Sequence, residues 1–327
     1  MSKKALVTGA GGFIGSHLSE LLVQEGYEVR ALVQYNSGNN WQWLEGSRYK
    51  HDMEVVLGDV RDSFQCDSLA KGMNVIFNLA ALIAIPFSYV APQSYIDTNV
   101  SGAVNMCQAT MRNDVDRLVQ MSTSEVYGSA HFVPMTESHP LQPQSPYSAS
   151  KIGADSIAMS YFNAFDLPVT IARPFNVYGP RQSARAVIPT IISQIASGMD
   201  EIKVGDVTPT RDFTFVTDTC KGLMDLGASS KTVGDVFNLG SGFEISIGEL
   251  FQTIADIMNA DVTFVSEDAR RRPEKSEVTR LFSDSSKARE AFGFESSHDL
   301  AGGLQKTIQW FEDKQNLALY KPEIYNV

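Results

Sequence analysis

Cysteine, histidine and positive charge are all scarce in this chain of 327 residues. Cys66, Cys107 and Cys220 are scattered and odd in number, which speaks against a disulfide framework and fits a reducing compartment. Neither they nor the five histidines fall at a metal-ligand spacing, so no metal is expected. The 27 Lys and Arg are outnumbered by 38 Asp and Glu, a net charge of -11 that argues against a nucleic-acid partner. An anionic substrate stays open, because a local cluster of arginines holds a phosphate even on an acidic protein. No apolar run reaches membrane-spanning length, and Met1-Ser2-Lys3-Lys4 lead into a strand-like stretch too short for a signal peptide. No membrane contact is expected, and cytoplasmic is the default location. What the chain does have is 43% apolar and 20% charged residues, the composition of a globular protein with a sizeable core.

Short apolar strands are expected at 5–8, 28–33, 54–57, 75–79, 118–121 and 169–172. Helical spacing separates several of them, at 16–25, 94–112 and 148–165. That alternation predicts an α/β fold, a Rossmann-like doubly wound parallel sheet. After Arg173-Pro174 the loops lengthen, an apolar helix runs over 186–197, and Arg and Glu gather toward the end. We read residues 1–175 as a dinucleotide-binding domain and 176–327 as a smaller mixed α/β C-terminal substrate lobe. Strand-like runs at 213–217 and 236–239 predict a return of about 211–240 to the first sheet, so the two units are interleaved.

Gly9, Gly12 and Gly15 follow the first strand and open a helix with Phe13 and Ile14. The first glycine permits a sharp turn, the second lets backbone approach a pyrophosphate, and the third allows helix and strand to pack closely. The helix N-terminus then offers free N–H groups to the phosphates. A ribose-binding acid is expected about 20 residues later. Leu32-Val33-Gln34-Tyr35-Asn36-Ser37 holds neither an acid nor an arginine, so neither the NAD nor the NADP signature is present; NAD is the expected cofactor, with NADP left open. Asp59-Val60 is placed to reach the adenine, against the alternative of a solvated turn acid. Leu79, Ala80 and Ala81 put small and apolar residues where the cofactor backbone would pass.

Tyr147 and Lys151 stand four residues apart and share one face of a helix. An ammonium beside a phenol lowers the phenol pKa, and a phenolate takes a proton from an alcohol while hydride leaves the same carbon. Thr123-Ser124-Glu125-Val126-Tyr127-Gly128 adds a carboxylate that alcohol oxidation does not need. Glu125 therefore points to chemistry that continues after the oxidation. Tyr127 reads as core.

These segments, with Asn78 to Ala81, Arg173-Pro174-Phe175-Asn176-Val177-Tyr178-Gly179-Pro180 and Asn238-Leu239-Gly240-Ser241-Gly242, resemble the extended short-chain dehydrogenase/reductase family almost end to end. The resemblance is to its nucleotide-sugar epimerase/dehydratase branch. It implies a nucleotide-sugar substrate and a homodimer built on the helices at 94–112 and 148–165. Thr-Ser-Glu looks like the 4,6-dehydratases, in which a glutamate at this position removes the C5 proton. The departure from dTDP-glucose 4,6-dehydratase, which carries an aspartate where this chain has Ser124, leaves Glu125 or Ser124 to protonate the departing hydroxyl.

The resemblance further implies that Lys151 binds the nicotinamide ribose, that Thr123 bonds the C4 oxygen, and that Asn176, Arg211 and Arg272 hold the diphosphate, with Arg185 a further candidate. The stretches 182–189 and 272–277 look most like bacterial N-acetylglucosamine-nucleotide, GDP-linked, 4,6-dehydratases of legionaminic-acid-type pathways. Ser145-Pro146 before Tyr147 differs from the UDP-glucuronate decarboxylases, which also carry Thr-Ser-Glu. A UDP-hexose 4-epimerase is the main alternative, and a catalytically silent dinucleotide-binding regulator is the alternative from another class.

Overall fold

The computed structural model describes residues 3–325. Six strands alternate with helices through the first half: β1 (Lys4–Thr8), β2 (Glu28–Gln34), β3 (Met53–Gly58), β4 (Val75–Asn78), β5 (Arg117–Met121) and β6 (Val169–Pro174). The second half adds β7 (Asn176–Tyr178), β8 (Glu201–Val204), β9 (Thr210–Phe215), β10 (Val236–Leu239), β11 (Glu244–Ser246) and β12 (Thr263–Ser266). Seven strands form one parallel sheet in the order β10-β6-β5-β4-β1-β2-β3. Its central strands are buried throughout, as helices on both faces of a parallel sheet demand. The order reverses between β1 and β4, and a crevice at such a switch point is where doubly wound sheets bind ligands.

The expected α/β sheet is therefore present, and Val236–Leu239 returns to its edge beside β6. The strand expected at 213–217 does not join it. It is β9, which lies between β7 and β11 in a separate three-stranded sheet. An apolar run of strand length marks a strand but not its partner, which tertiary pairing decides. The helix Val216–Ala228 does return, packing on the first helix and on β4 to β6. One core joins Leu18, Leu22 and Phe77 of the first unit to Ile191, Leu250 and Leu304 of the second.

Two helices position the site. Phe13–Gln24 starts directly on the glycine turn, with Gly9 at φ +68. A Cβ on Gly15 would lie 2.1 Å from the Gly9 carbonyl oxygen, so only glycine lets the helix begin this close to β1. Pro146–Phe165 is set by a reciprocal cap in which Ser145 and Ser148 each bond the other's backbone N–H, with Pro146 in the first turn. The helix expected over 94–112 is divided into Pro92–Tyr95, a π-helical run Ile96–Ser101 and Gly102–Arg112. Wide turns of this kind re-aim side chains at functional sites.

Gly15→Ala is expected to lower stability by about 2–3 kcal/mol. Urea denaturation checks it, and an unchanged midpoint would show that the turn relaxes around a side chain.

Candidate active site

The switch point opens into a cavity of about 610 Å³ that runs from the glycine turn to the start of β7. At one end it is lined by Gly9, Gly12, Phe13, Ile14, Gly15, Asp59, Val60, Leu79, Ala80 and Ala81, the set expected for the dinucleotide. A Cβ on Gly12 would meet only the Gly9 carbonyl oxygen, at 3.2 Å, so the turn presents bare backbone to the cavity. These residues fit a dinucleotide pyrophosphate at a helix N-terminus. Strand ends are held together beneath it. Thr8 Oγ1 donates to Asn78 Oδ1 at 2.7 Å, accepts from Ala80 N at 3.0 Å, and Asn78 Nδ2 donates to Gln120 at 2.8 Å. Asp59 accepts from the Arg61 guanidinium, which holds its carboxyl below the usual range.

Thr123, Ser124, Glu125, Tyr147 and Lys151 line the middle of the same cavity. Thr123 is extended at the end of β5 and caps the single turn Ser124–Tyr127, accepting from Glu125 N at 3.2 Å. Tyr147 hydrogen-bonds Thr123, which pulls its pKa down, but burial pushes it up further and the Glu125 charge adds to the rise. The expected depression of Tyr147 by Lys151 is not what the structure shows. Lys151 Nζ instead donates to the Met121 carbonyl at 2.6 Å, and burial lowers its own pKa to about 8. Desolvation disfavours the charged form of both groups and outweighs their position on one helical face.

That face carries a third residue, Asp155, which the sequence reading passed over although it stands four positions beyond Lys151. Asp155 is 2% exposed, accepts from Ser122 Oγ at 2.8 Å and forms a buried ion pair with Arg173 at 3.0 Å. Arg173 also donates to the Tyr127 hydroxyl at 3.1 Å, and that hydroxyl donates to Asn238 at 2.6 Å. Tyr127 is core, as expected, but core with a hydrogen-bonding task. Asn99, in the π-helical run, bonds both backbone groups of Leu82 and the Ser150 hydroxyl. No local pattern announces Asn99, because its partners lie in other elements.

Toward the second unit, Asn176 lines the cavity and its buried Oδ1 has no hydrogen-bond partner, as does Oε1 of Gln182. Arg211 and Arg272 are not among the residues that line the cavity, although Arg272 reaches Glu125, which does. Arg211 pairs with Glu277 at 3.1 Å, and Arg272 Nη1 lies 3.6 Å from Glu125 and 3.7 Å from Glu277. Glu277 is the counter-charge that the sequence reading missed. Arg211 does not pair with its neighbour Asp212, whose buried carboxylate accepts from Ser241 N, Gly242 N and Ser283 N. Arg185 is exposed on the loop after β7, and its charge acts on Tyr95, whose ring packs edge-on against Tyr147. Among the described residues no group of acids, histidines and cysteines is placed to hold a metal, and no helix is long and apolar enough to cross a membrane.

A glycine turn, buried Tyr147 and Lys151 with Thr123 beside them, and an added carboxylate around one cavity fit a dinucleotide-dependent enzyme of the dehydrogenase type. The family model for GDP-mannose 4,6 dehydratase matches residues 6–307, and the chain belongs to that family. It is 31% identical to a dTDP-glucose 4,6-dehydratase of Actinoplanes over 94% of this chain and 97% of that one. It is equally similar, at 32% over 94% of this chain and 98% of that one, to a putative UDP-glucose 4-epimerase of Methanocaldococcus jannaschii. DesIV, a dTDP-glucose 4,6-dehydratase from Streptomyces venezuelae solved with NAD, superposes with a TM-score of 0.87 at 30% identity, covering 98% of this chain and 99% of that one. NAD is thus the cofactor of this family's dehydratase/epimerase site, and it supplies the hydride acceptor when bound.

Lys151 makes stability depend on pH. Its folded pKa of about 8 lies below the unfolded 10.5, so between them the folded state binds fewer protons and stability rises with pH. Tyr147 opposes this only above its unfolded value of 10.0. From about pH 7.5 to about pH 9.5 the apoprotein is expected to gain about 2 kcal/mol relative to Lys151→Met. Urea midpoints read this difference, and parallel profiles for the two proteins would contradict a buried, depressed lysine.

Proposed function

We propose that this protein is a nucleotide-sugar 4,6-dehydratase acting on an NDP-hexose, GDP- or UDP-N-acetylglucosamine by its resemblance at 182–189 and 272–277. The observation that carries the reading is Glu125, a carboxylate 12% exposed in the cavity that Tyr147 and Thr123 line. The glycine turn, Tyr147 and Lys151 would hold NAD, which when bound would supply the acceptor and return donor for the C4 hydride. Tyr147, ionised as its phenolate in the occupied site, would accept the C4 hydroxyl proton as that hydride leaves, with Thr123 bonded to the same oxygen. The resulting C4 ketone acidifies the C5 hydrogen, which Glu125 removes. Hydroxide leaves C6 with a proton from Glu125 or Ser124, the hydride returns to C6, and C5 is reprotonated. Atoms balance as loss of one water, and the cofactor ends as it began.

Lys151, released from the Met121 carbonyl, would bond the nicotinamide ribose. Asn176, through its side-chain NH2 as donor, and the Arg211 and Arg272 guanidinium groups suit the diphosphate side of the substrate. The assembly that fits this reading is a cytoplasmic homodimer, supported by exposed Ile96, Met111 and Phe165 on the two long helical segments.

The similarity to 4-epimerases favours a second reading, in which the ketone turns over and takes the hydride back at C4. Product mass separates the two. With GDP- or UDP-N-acetylglucosamine the dehydratase reading expects loss of one water, and turnover without mass change would replace it by the epimerase. Glu125→Gln is expected to lower the rate of water loss by at least about 1,000-fold while C4 oxidation persists as reduced cofactor absorbance. Full dehydration by that variant would remove Glu125 from the role of base.

A further inference from the structure

Beyond Ala81 the chain follows the cavity through Leu82, Ile83, Ile85 and Phe87, the last two in the short helix Ile85–Val90. Ile85 is buried and packs in one cluster with Tyr95 and Tyr147, so this segment is the wall beside the catalytic phenol. Its inner end is fixed by Asn99, which bonds both backbone groups of Leu82, and by the Tyr95 hydroxyl, which donates to the Ala84 carbonyl at 2.5 Å. Its outer end is held by Tyr89. The Tyr89 hydroxyl lies 2.6 Å from Ser276 Oγ, 187 residues further along the chain. Ser276 Oγ donates its one proton to the Gln144 carbonyl at 2.5 Å, so Tyr89 is the donor to Ser276.

Three parts of the site meet at this buried serine. Gln144 immediately precedes Ser145, the cap of the helix that carries Tyr147 and Lys151. Its side chain accepts from Ser129 N at 2.6 Å and donates to the Lys275 carbonyl at 3.4 Å, so it is tied to both neighbouring loops. Ser276 itself stands four residues after Arg272 and one before Glu277. Arg272 is within electrostatic reach of Tyr89 as well as of Glu125 and Glu277. At 3.6 Å and 3.7 Å its Nη1 is beyond hydrogen-bond range of those two carboxylates, and that buried nitrogen has no other partner. Loose ion pairs leave the placement of Arg272 to the backbone beneath it, and the chain of hydrogen bonds from Tyr89 to Gln144 holds that backbone.

We propose that Tyr89 is a positioning residue for the nucleoside diphosphate of the substrate. Its hydroxyl, through Ser276, fixes the segment 272–277 against the wall at 82–90 and so sets where Arg272 presents its charge. Tyr89 does not line the cavity and acts through these partners. The inference rests on the reading of Arg272 as a diphosphate ligand and holds for a dehydratase and an epimerase alike.

Calorimetric titration of the NAD-loaded protein with UDP, GDP and dTDP tests it without any turnover. Tyr89→Phe removes the hydroxyl and keeps the ring, which is exposed, so the core is left untouched. It is expected to weaken whichever diphosphate wild type binds by at least about fivefold, the loss of one hydrogen bond. The NAD dissociation constant and the urea midpoint are expected to stay at their wild-type values, whereas a merely structural role would move both. Ser276→Ala is expected to reproduce the loss, and Tyr89→Phe added to it to cause none further, because both act through one contact. Unchanged diphosphate affinity in Tyr89→Phe, a parallel fall in NAD affinity or stability, or a further loss in the double variant would overturn the inference and leave the nucleotide-sugar reading intact. Wild-type protein that binds none of the three diphosphates would overturn that reading, and the inference with it.

Discussion

The buried ion pair between Asp155 and Arg173 is the constraint on which the site depends. It joins the helix that carries Tyr147 and Lys151 to the end of β6, and Ser122 brings in the end of β5 just before Thr123. Through the Tyr127 hydroxyl and Asn238 the same network reaches β10, so four elements that hold the chemistry are tied by one set of hydrogen bonds. Buried pairs of this kind contribute little net energy when intact but cost about 3–5 kcal/mol when one partner is removed. Their use here is positional. Lys151 is placed against the Met121 carbonyl and Tyr147 against Thr123 because the helix beneath them has nowhere else to sit.

Burial also sets the electrostatics of the site in its ligand-free form. Tyr147 and Lys151 are both pushed toward neutrality, one by a raised pKa and the other by a depressed one. A protonated Tyr147 is stable in a desolvated pocket but is a weak base. Catalysis then needs a charge to arrive with the ligands, which couples proton removal to an occupied site. The second unit is arranged differently, with Arg211 and Arg272 already facing Glu277 and, for Arg272, Glu125. The acidic chain thus keeps two of its few arginines beside the one carboxylate that the chemistry singles out.

Much of this was legible in the sequence because its signals are local. The glycine spacing after β1, the Tyr147 to Lys151 interval and the run from Thr123 to Glu125 each lie within one turn or one strand end, and the structure gathers them on one cavity. Asp155 was legible too, one helical repeat beyond Lys151, but a periodicity that serves the core hides a polar member. Asn99, Glu277 and the pairing of β9 were not legible, since their partners lie far along the chain. The bond from Lys151 to the Met121 carbonyl was missed for a related reason: spacing shows which groups share a face, whereas pKa follows from how deeply that face is buried.

The central claim is that one cavity oxidises C4, removes the C5 proton and returns the same hydride to C6. Turnover of a nucleotide sugar deuterated at C4, followed by nuclear magnetic resonance of the product, tests it most directly. The account predicts a 4-keto-6-deoxy sugar nucleotide carrying that deuterium on C6, with a solvent hydrogen at C5. Deuterium found still on C4, in a product of unchanged composition, would contradict it and assign the cavity to epimerisation.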